Sequence, residues 1–302
     1  MSYKLTLPCT RTEAEALALV DFTDDAGMDN IPVIVTSEID EQQPDDWEMH
    51  AYYNTKPTAS DIRVLRQYVP SADMAKPSLE KLGNEDWLSM SQEGLEPIHA
   101  GRFHVHTPHM PASNDPAIRN FCIDAGLAFG TGHHETTHGC LAMLDIMRRR
   151  GIRCDNMLDL GTGTGLLAFA AGHLWPQARL TASDIDAVCE DVVHENARVN
   201  GTVLGQRRGQ LHMVTADGMM HPALLERAPY DIIAANILAG PLIDMSADIC
   251  RSIVPRGNLV LAGLLTEQAP AVLSAYRWQG MRLMKRIISG DWSILWMRKR
   301  GL

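Results

Sequence analysis

The run Asn156-Met157-Leu158-Asp159-Leu160-Gly161-Thr162-Gly163-Thr164-Gly165-Leu166 decides how the rest of the chain is read. Its apolar residues at 157–160 predict a buried strand, and a helical pattern opens at Leu166. Glycines between a strand and a helix let the backbone turn tightly and approach a ligand closely. The helix beyond offers unpaired N–H groups and a partial positive charge. The spacing is G-x-G-x-G, whereas the dinucleotide fingerprint is G-x-G-x-x-G, and an acid, Asp159, stands two residues before the first glycine. An ordinary glycine-rich turn would satisfy the same letters.

Downstream, strand and helix patterns alternate. Strands are expected at 157–160, 180–184, 211–215, 231–235 and 258–263. Helices are expected at 136–149, 165–173, 187–199, 238–252 and 267–276. Two more strands, 283–289 and 292–298, close the sheet. This alternation implies an α/β fold with a doubly wound parallel sheet and an antiparallel addition at its end. Strand-like runs at 102–106 and 121–125 precede it and lead into Gly130-Thr131-Gly132.

Asp184 ends the second strand, 23 residues after Gly161. That is close to the ~20-residue offset of an acid that binds ribose hydroxyls. Asp184 or Asp186 could instead cap the helix at 187–199, and both roles can coexist. Asp217, after the strand at 211–215, could meet an adenine edge or cap a turn. The loop and acid resemble motif I of class I S-adenosylmethionine (SAM) methyltransferases, in which Asp159 would face the cationic amino-acid end of the cofactor. Asn236 ends the strand at 231–235, where many amino-methyltransferases carry an Asn-Pro-Pro-Tyr-like tetrad. In such enzymes the Asn carbonyl accepts a hydrogen bond from the target amine and aims its lone pair. Here the tetrad is Asn236-Ile237-Leu238-Ala239, without the aromatic that stacks on a flat base. A flexible aliphatic amine therefore suits it better. A helix N-cap is the plain alternative for Asn236.

The first third is built differently. Strands at 3–7, 32–37 and 47–54 and helices at 11–25 (capped by Thr10 or Thr12) and 58–68, with a last strand near 78–82, suggest a small α+β ferredoxin-like domain. The expected division is a recognition domain at 1–82, a linker at 83–98 and the main domain at 99–302. Charge follows this division. The 302 residues carry a net charge of −10, yet residues 1–95 hold 18 acids and 7 bases, and residues 96–302 hold 19 and 20. An acidic chain argues against broad binding of free DNA or RNA and favours a basic partner or a cationic small molecule.

Six cysteines occur without a C-x-x-C pair, as expected of reduced thiols in a cytoplasmic protein. No signal peptide or membrane span is visible, and the chain is read as a soluble monomer without membrane contact. His134-Glu135-Thr136-Thr137-His138 matches the H-E-x-x-H zinc pattern. It falls at a helix start after a Gly-Thr-Gly turn, with β-branched threonines between the two ligands, so no metal is expected.

Several stretches together resemble a family, the bacterial methyltransferases of large-subunit ribosomal protein eleven. They are residues 128–137 (Ala-Phe-Gly-Thr-Gly-His-His-Glu-Thr-Thr), the glycine loop, residues 183–186 and residues 236–242 (Asn-Ile-Leu-Ala-Gly-Pro-Leu). Asp86-Trp87, Pro97-Ile98, Gly101-Arg102-Phe103, Gly263-Leu264-Leu265, Gln268 and Trp292 extend the likeness along nearly the whole chain. The resemblance implies SAM as cofactor, with contacts at Thr137, Gly161, Asp184 and Asn236; Asp159, Gly163, Phe129 and Asp217 complete the expected set. It implies Asn236 as the catalytic residue, and lysine ε-amines and the α-amine of a basic ribosomal protein as acceptors. The chain departs from the family pattern at His133 and Glu135, where Thr and Pro are usual, so the zinc match looks accidental. The competing readings are a lysine methyltransferase of the same fold acting on another protein, a zinc-dependent hydrolase, and a non-catalytic SAM-binding module.

Overall fold

The computed structural model describes residues 2–17, 30, 32–39, 45–53, 55–72, 74–82, 97–123 and 134–301. Its contacts divide the chain into two units, Met1–Gly94 and Leu95–Leu302.

In the first unit β1 (Ser2–Cys9), β2 (Val33–Glu38), β3 (Trp47–Tyr53) and β4 (Ser78–Leu82) form an antiparallel sheet in the order β2-β3-β1-β4. Alternation places Met49, Ala51 and Tyr53 of β3 with Leu5 and Leu7 of β1 in one core. Helices α1 (Arg11–Leu17) and α2 (Ala59–Tyr68) pass between strands. Thr10 caps α1: its hydroxyl accepts the N–H of Glu13, and Glu13 accepts the N–H of Thr10 at 2.8 Å. Thr58 and Asp61 repeat this capping box on α2. The expected helix over 11–25 is described only to Leu17. The expected linker at 83–98 lies almost wholly outside the described residues.

The second unit opens with a three-stranded sheet that its sequence did not announce as one. It comprises β5 (Ile98–Ala100), β6 (Phe103–His106) and β7 (Arg119–Cys122), with β5 antiparallel and β7 parallel to β6. Strands of three or four residues give too little alternation to read.

The large sheet follows. Its strands are β8 (Asn156–Leu160), β9 (Arg179–Asp184), β10 (Leu211–Thr215), β11 (Tyr230–Asn236), β12 (Ile253–Leu265), β13 (Met281–Ser289) and β14 (Trp292–Lys299). Their order is β10-β9-β8-β11-β12-β14-β13, parallel except where β14 meets β12 and β13. Helices α3 (His134–Arg149), α4 (Leu166–Leu174) and α5 (Val188–Asn200) serve one half. Helices α6 (Pro222–Arg227), α7 (Ala239–Asp244), α8 (Ser246–Arg251) and α9 (Ala269–Trp278) serve the other.

Both faces of the sheet are covered. Met157 joins one core with Phe169 and Leu174, while its neighbour Leu158 joins the other with Tyr230 and Tyr276. This is why β8 reads as a continuous apolar run, without alternation. The helix expected at 238–252 is two helices broken at Met245. Helix α6 was not expected, although His221-Pro222 supplies its cap and its first-turn proline.

Candidate functional site

Succession reverses between β8 and β11, so a crevice opens at their C-terminal ends. A cavity of about 890 Å³ lies there. Its wall combines the glycine loop, residues 184–186 after β9, residues 216–218 after β10, residues 236–238 after β11, and Thr136 and Thr137 in the first turn of α3.

The glycine loop is stapled to the neighbouring strand. The N–H groups of Gly161 and Thr162 both donate to the Ser183 carbonyl, at 2.8 and 2.9 Å. The N–H of Gly163 donates to Asp184 Oδ2 at 2.8 Å. These donors are committed within the fold, so close backbone approach is what the glycines contribute here. Gly161 has φ +69°, and a Cβ on it would sit 2.2 Å from Ile237 Cγ2.

Asp184 is half-buried in the cavity wall. Besides Gly163, it accepts the N–H of Asp186 at 3.2 Å. Cys189 is also in the wall, where burial and then the neighbouring Asp184 carboxylate push its thiol up to about 12. Asp186 in turn accepts the N–H of Val188 at 3.0 Å, but the N-cap of α5 is Ala187, without a side-chain cap, so neither Asp184 nor Asp186 takes the capping role the sequence suggested; Asp184 lines the cavity. Asp217 is exposed on the wall, and Thr137 stands beside the loop.

Asp159 is placed differently. It is 1% exposed and is not part of the wall. Its Oδ2 accepts the Thr162 hydroxyl at 2.6 Å and the Ala168 N–H at 3.0 Å, which ties the loop to the first turn of α4. Its Oδ1 is buried without a partner among the described residues. Burial pushes this carboxyl up to about 6, with nearby Asp184 adding to the rise and the two hydrogen bonds opposing it. The folded state thus holds the proton more tightly than the unfolded chain. The contribution is largest below pH 3.8 and is lost as pH rises to about 6. Asp159→Asn, which keeps an acceptor for both donors, is expected to flatten that decline in a series of thermal melts. An unchanged pH profile would remove Asp159 as its source.

Asn236 ends β11 opposite Ala262 of β12, half-buried and on the wall. It is not the cap of α7, whose N-cap is Leu238. The next strand residue, Gly263, has φ +80°, and a Cβ there would lie 2.4 Å from the Ile237 carbonyl oxygen. Asn236 is therefore held by a turn that rests on a bare Cα. Sequence reasoning missed Gly263, Cys189 and Met245 as wall residues. A glycine inside a strand pattern was the available signal for the first.

Phe129 and the Gly-Thr-Gly at 130–132 lie outside the described residues. Among the described residues, no group of three His, Cys, Asp or Glu side chains is arranged to hold a metal. The wall contains carboxylates at 184, 186, 217 and 244, and among the described residues no Lys, Arg or His. It favours cations.

A seven-stranded sheet in this order, with a glycine loop, a strand-end acid and a strand-end Asn around one crevice, defines a class I methyltransferase. The chain belongs to the ribosomal protein L11 methyltransferase family: the family model described as "Ribosomal protein L11 methyltransferase (PrmA)" matches residues 10–300. It is 38% identical over 298 residues to the ribosomal protein L11 methyltransferase of Agrobacterium fabrum, covering 98% of this chain and 99% of that protein. To the protein of that name from Rhizobium meliloti it is 39% identical over 285 residues, covering 94% and 95%. A crystal structure of ribosomal protein L11 methylase from Lactobacillus delbrueckii subsp. bulgaricus superposes with a TM-score of 0.55 at 26% identity, covering 68% of this chain and 100% of that one. These matches give the zinc hydrolase reading no support.

Proposed function

We propose that this chain transfers methyl groups from SAM to lysine ε-amines and the α-amine of ribosomal protein L11. The observation that carries the reading is that Gly161, Asp184 and Asn236, drawn from three different strand ends, meet in one acidic cavity. SAM supplies an activated methyl on a sulfonium. The site's residues fit such a cation-bearing nucleoside. The bare Cα of Gly161 lets the loop pack against Ile237 within the wall, and Asp184 has acceptor capacity left for hydroxyls. The unpartnered Oδ1 of Asp159 puts negative potential behind the loop.

Asn236 is the residue proposed to act on the acceptor. Its amide oxygen takes an amine N–H and aligns the nitrogen lone pair. With SAM bound, its sulfonium would supply the methyl group and leave as the neutral thioether, and Asn236 would hold the amine that accepts it, the resulting ammonium giving its proton to water. A lysine must first be deprotonated, which desolvation favours and the carboxylates of the wall oppose. Asn236→Ala is expected to lower kcat about a hundredfold while changing SAM affinity less than about threefold. Equal losses in both would reassign Asn236 to cofactor binding. Thr137, Gly163 and Asp217 are proposed as further cofactor contacts. Asp159 acts by positioning the loop.

The unit at the N-terminus is proposed to hold the substrate. Residues 1–95 carry the chain's acidic excess, and a lysine-bearing protein is the complementary partner. Substrate KM should therefore rise steeply with salt while SAM affinity stays nearly level. Parallel salt dependence would reduce the acidic excess to a solubility feature. The decisive experiment is mass spectrometry of ribosomal proteins from cells with and without this gene. Loss of methyl groups from L11 supports the reading, and loss from a different protein alone would redirect it.

A further inference from the structure

Residues 96–302 carry 20 basic and 19 acidic side chains, and that near-balance conceals how the fold sorts them. The acids of the wall stand at the C-terminal ends of the parallel strands. The arginines gather at the opposite rim, where those strands begin. Arg179 pairs there with Asn156, and Arg282 with Arg298, which also faces Asn258. Arg153 leads into β8, and Arg207 leads into β10. Arg208 reaches Asp155 at 3.1 Å and joins these two lead-ins. Arg148 and Arg150 close α3 beside them, and the Arg150 guanidinium lies 5.4 Å from the Trp296 ring on β14.

Arg148, Arg150, Arg153, Arg179, Arg207 and Arg282 are all exposed, and none makes an ion pair with the described residues. Most acids at this rim are already engaged. Asp155 holds Arg208, Asp248 holds Arg251, and Asp231 accepts the N–H groups of residues 155 and 156. Glu226, beside Arg227, is the exposed exception. Helix C-termini attract bases, which accounts for Arg148 and Arg150. That does not account for Arg153, Arg179, Arg207 and Arg282, which sit on strands and loops.

An aromatic residue stands at one end of this rim, just before β13 and Arg282. Trp278, 87% exposed, is the last residue of α9, and the Gly280 carbonyl two residues on accepts the N–H of Arg300. We propose that this rim is a docking surface for RNA. Its arginines would grip the phosphate backbone and Trp278 would stack on an unpaired base. Guanidinium forks match phosphate oxygens, and strands spaced ~4.8 Å apart present them in series. Guanidinium forks with an exposed aromatic match a phosphate backbone that carries an unpaired base, and polyglutamate in the test stands for an acidic protein. The proposal does not depend on the methyl-transfer site.

The test is fluorescence anisotropy of the full chain with a labelled RNA hairpin, a fully paired RNA and polyglutamate, across a salt series. The native chain should bind the hairpin tightest. R153E/R179E/R207E should weaken that binding at least tenfold and reduce the salt slope by roughly two. R63E/K76E/K81E, an equal charge change in the first unit, should leave it within about twofold of native. W278A should weaken the hairpin more than the fully paired RNA. An unchanged thermal melt for each variant shows that it is folded. No RNA binding, an equal loss in the first-unit variant, or polyglutamate bound as tightly as the hairpin would each overturn the proposal, the last making the rim a protein-docking face.

Discussion

Asp184→Ala is expected to weaken SAM binding at least about a hundredfold in a calorimetric titration. Two hydroxyls bonded to a carboxylate are each worth about 1.5–3 kcal/mol, and every 1.4 kcal/mol is about tenfold. The substitution also removes the acceptor of the Gly163 N–H, so the glycine loop loses its tie to β9. Asp184→Asn separates the two effects. It keeps an acceptor for one backbone donor but halves the capacity to accept hydroxyls. Its affinity should fall between native and Ala. The melting temperature should move little, because Asp184 is only half-buried. SAM affinity unchanged in Asp184→Ala would sink the ribose role and with it the register argument linking Asp184 to Gly161.

Gly263→Ala is expected to damage both stability and turnover. A side chain at φ +80° costs roughly 1–2 kcal/mol, and the new Cβ meets the oxygen, carbon and nitrogen of Ile237 at 2.4, 2.8 and 2.9 Å. All three are backbone atoms, so no side chain can swing away. Relief must come from moving the turn that carries Asn236. Urea unfolding should show a loss of about 2–4 kcal/mol, combining the dihedral cost with overpacking. Displacing a positioning group by about 1 Å costs about a hundredfold in rate, so kcat should fall well beyond what the lost stability explains. A variant as stable and as active as native would show that Gly263 is free to relax and that Asn236 does not depend on it.

Much of the second unit was legible because its signals are local. Met157 and Leu158 point to opposite faces, yet both are buried, so the strand is one apolar run whichever side is considered. Asp186 and Thr10 sit at helix starts where a short polar side chain finds a nearby N–H. The site was legible in part. Gly161, Asp184, Asn236, Thr137 and Asp217 all reach the cavity wall. Asp159 does not, because its spacing from the glycine fixes the residue but not the direction of its side chain. Its partners, Thr162 and Ala168, turn it under the loop.

The amino-acid order carries the elements, the glycine loop and the acidic excess of the first 95 residues, since propensity, period and composition act over a few neighbours. It does not carry the fit of Gly263, on β12, against Ile237, in the turn after β11 and 26 residues away. Nor does it carry the polarity of the second unit. Its net charge of +1 is a sum, and a sum has no direction. Strand pairing gives it one, by bringing the starts of the parallel strands and the end of antiparallel β14 to one rim and the ends of the parallel strands to the other. Arginines scattered through the second unit come to one rim, and four aspartates, two at the end of β9, one after β10 and one on α7, come to the wall of one cavity.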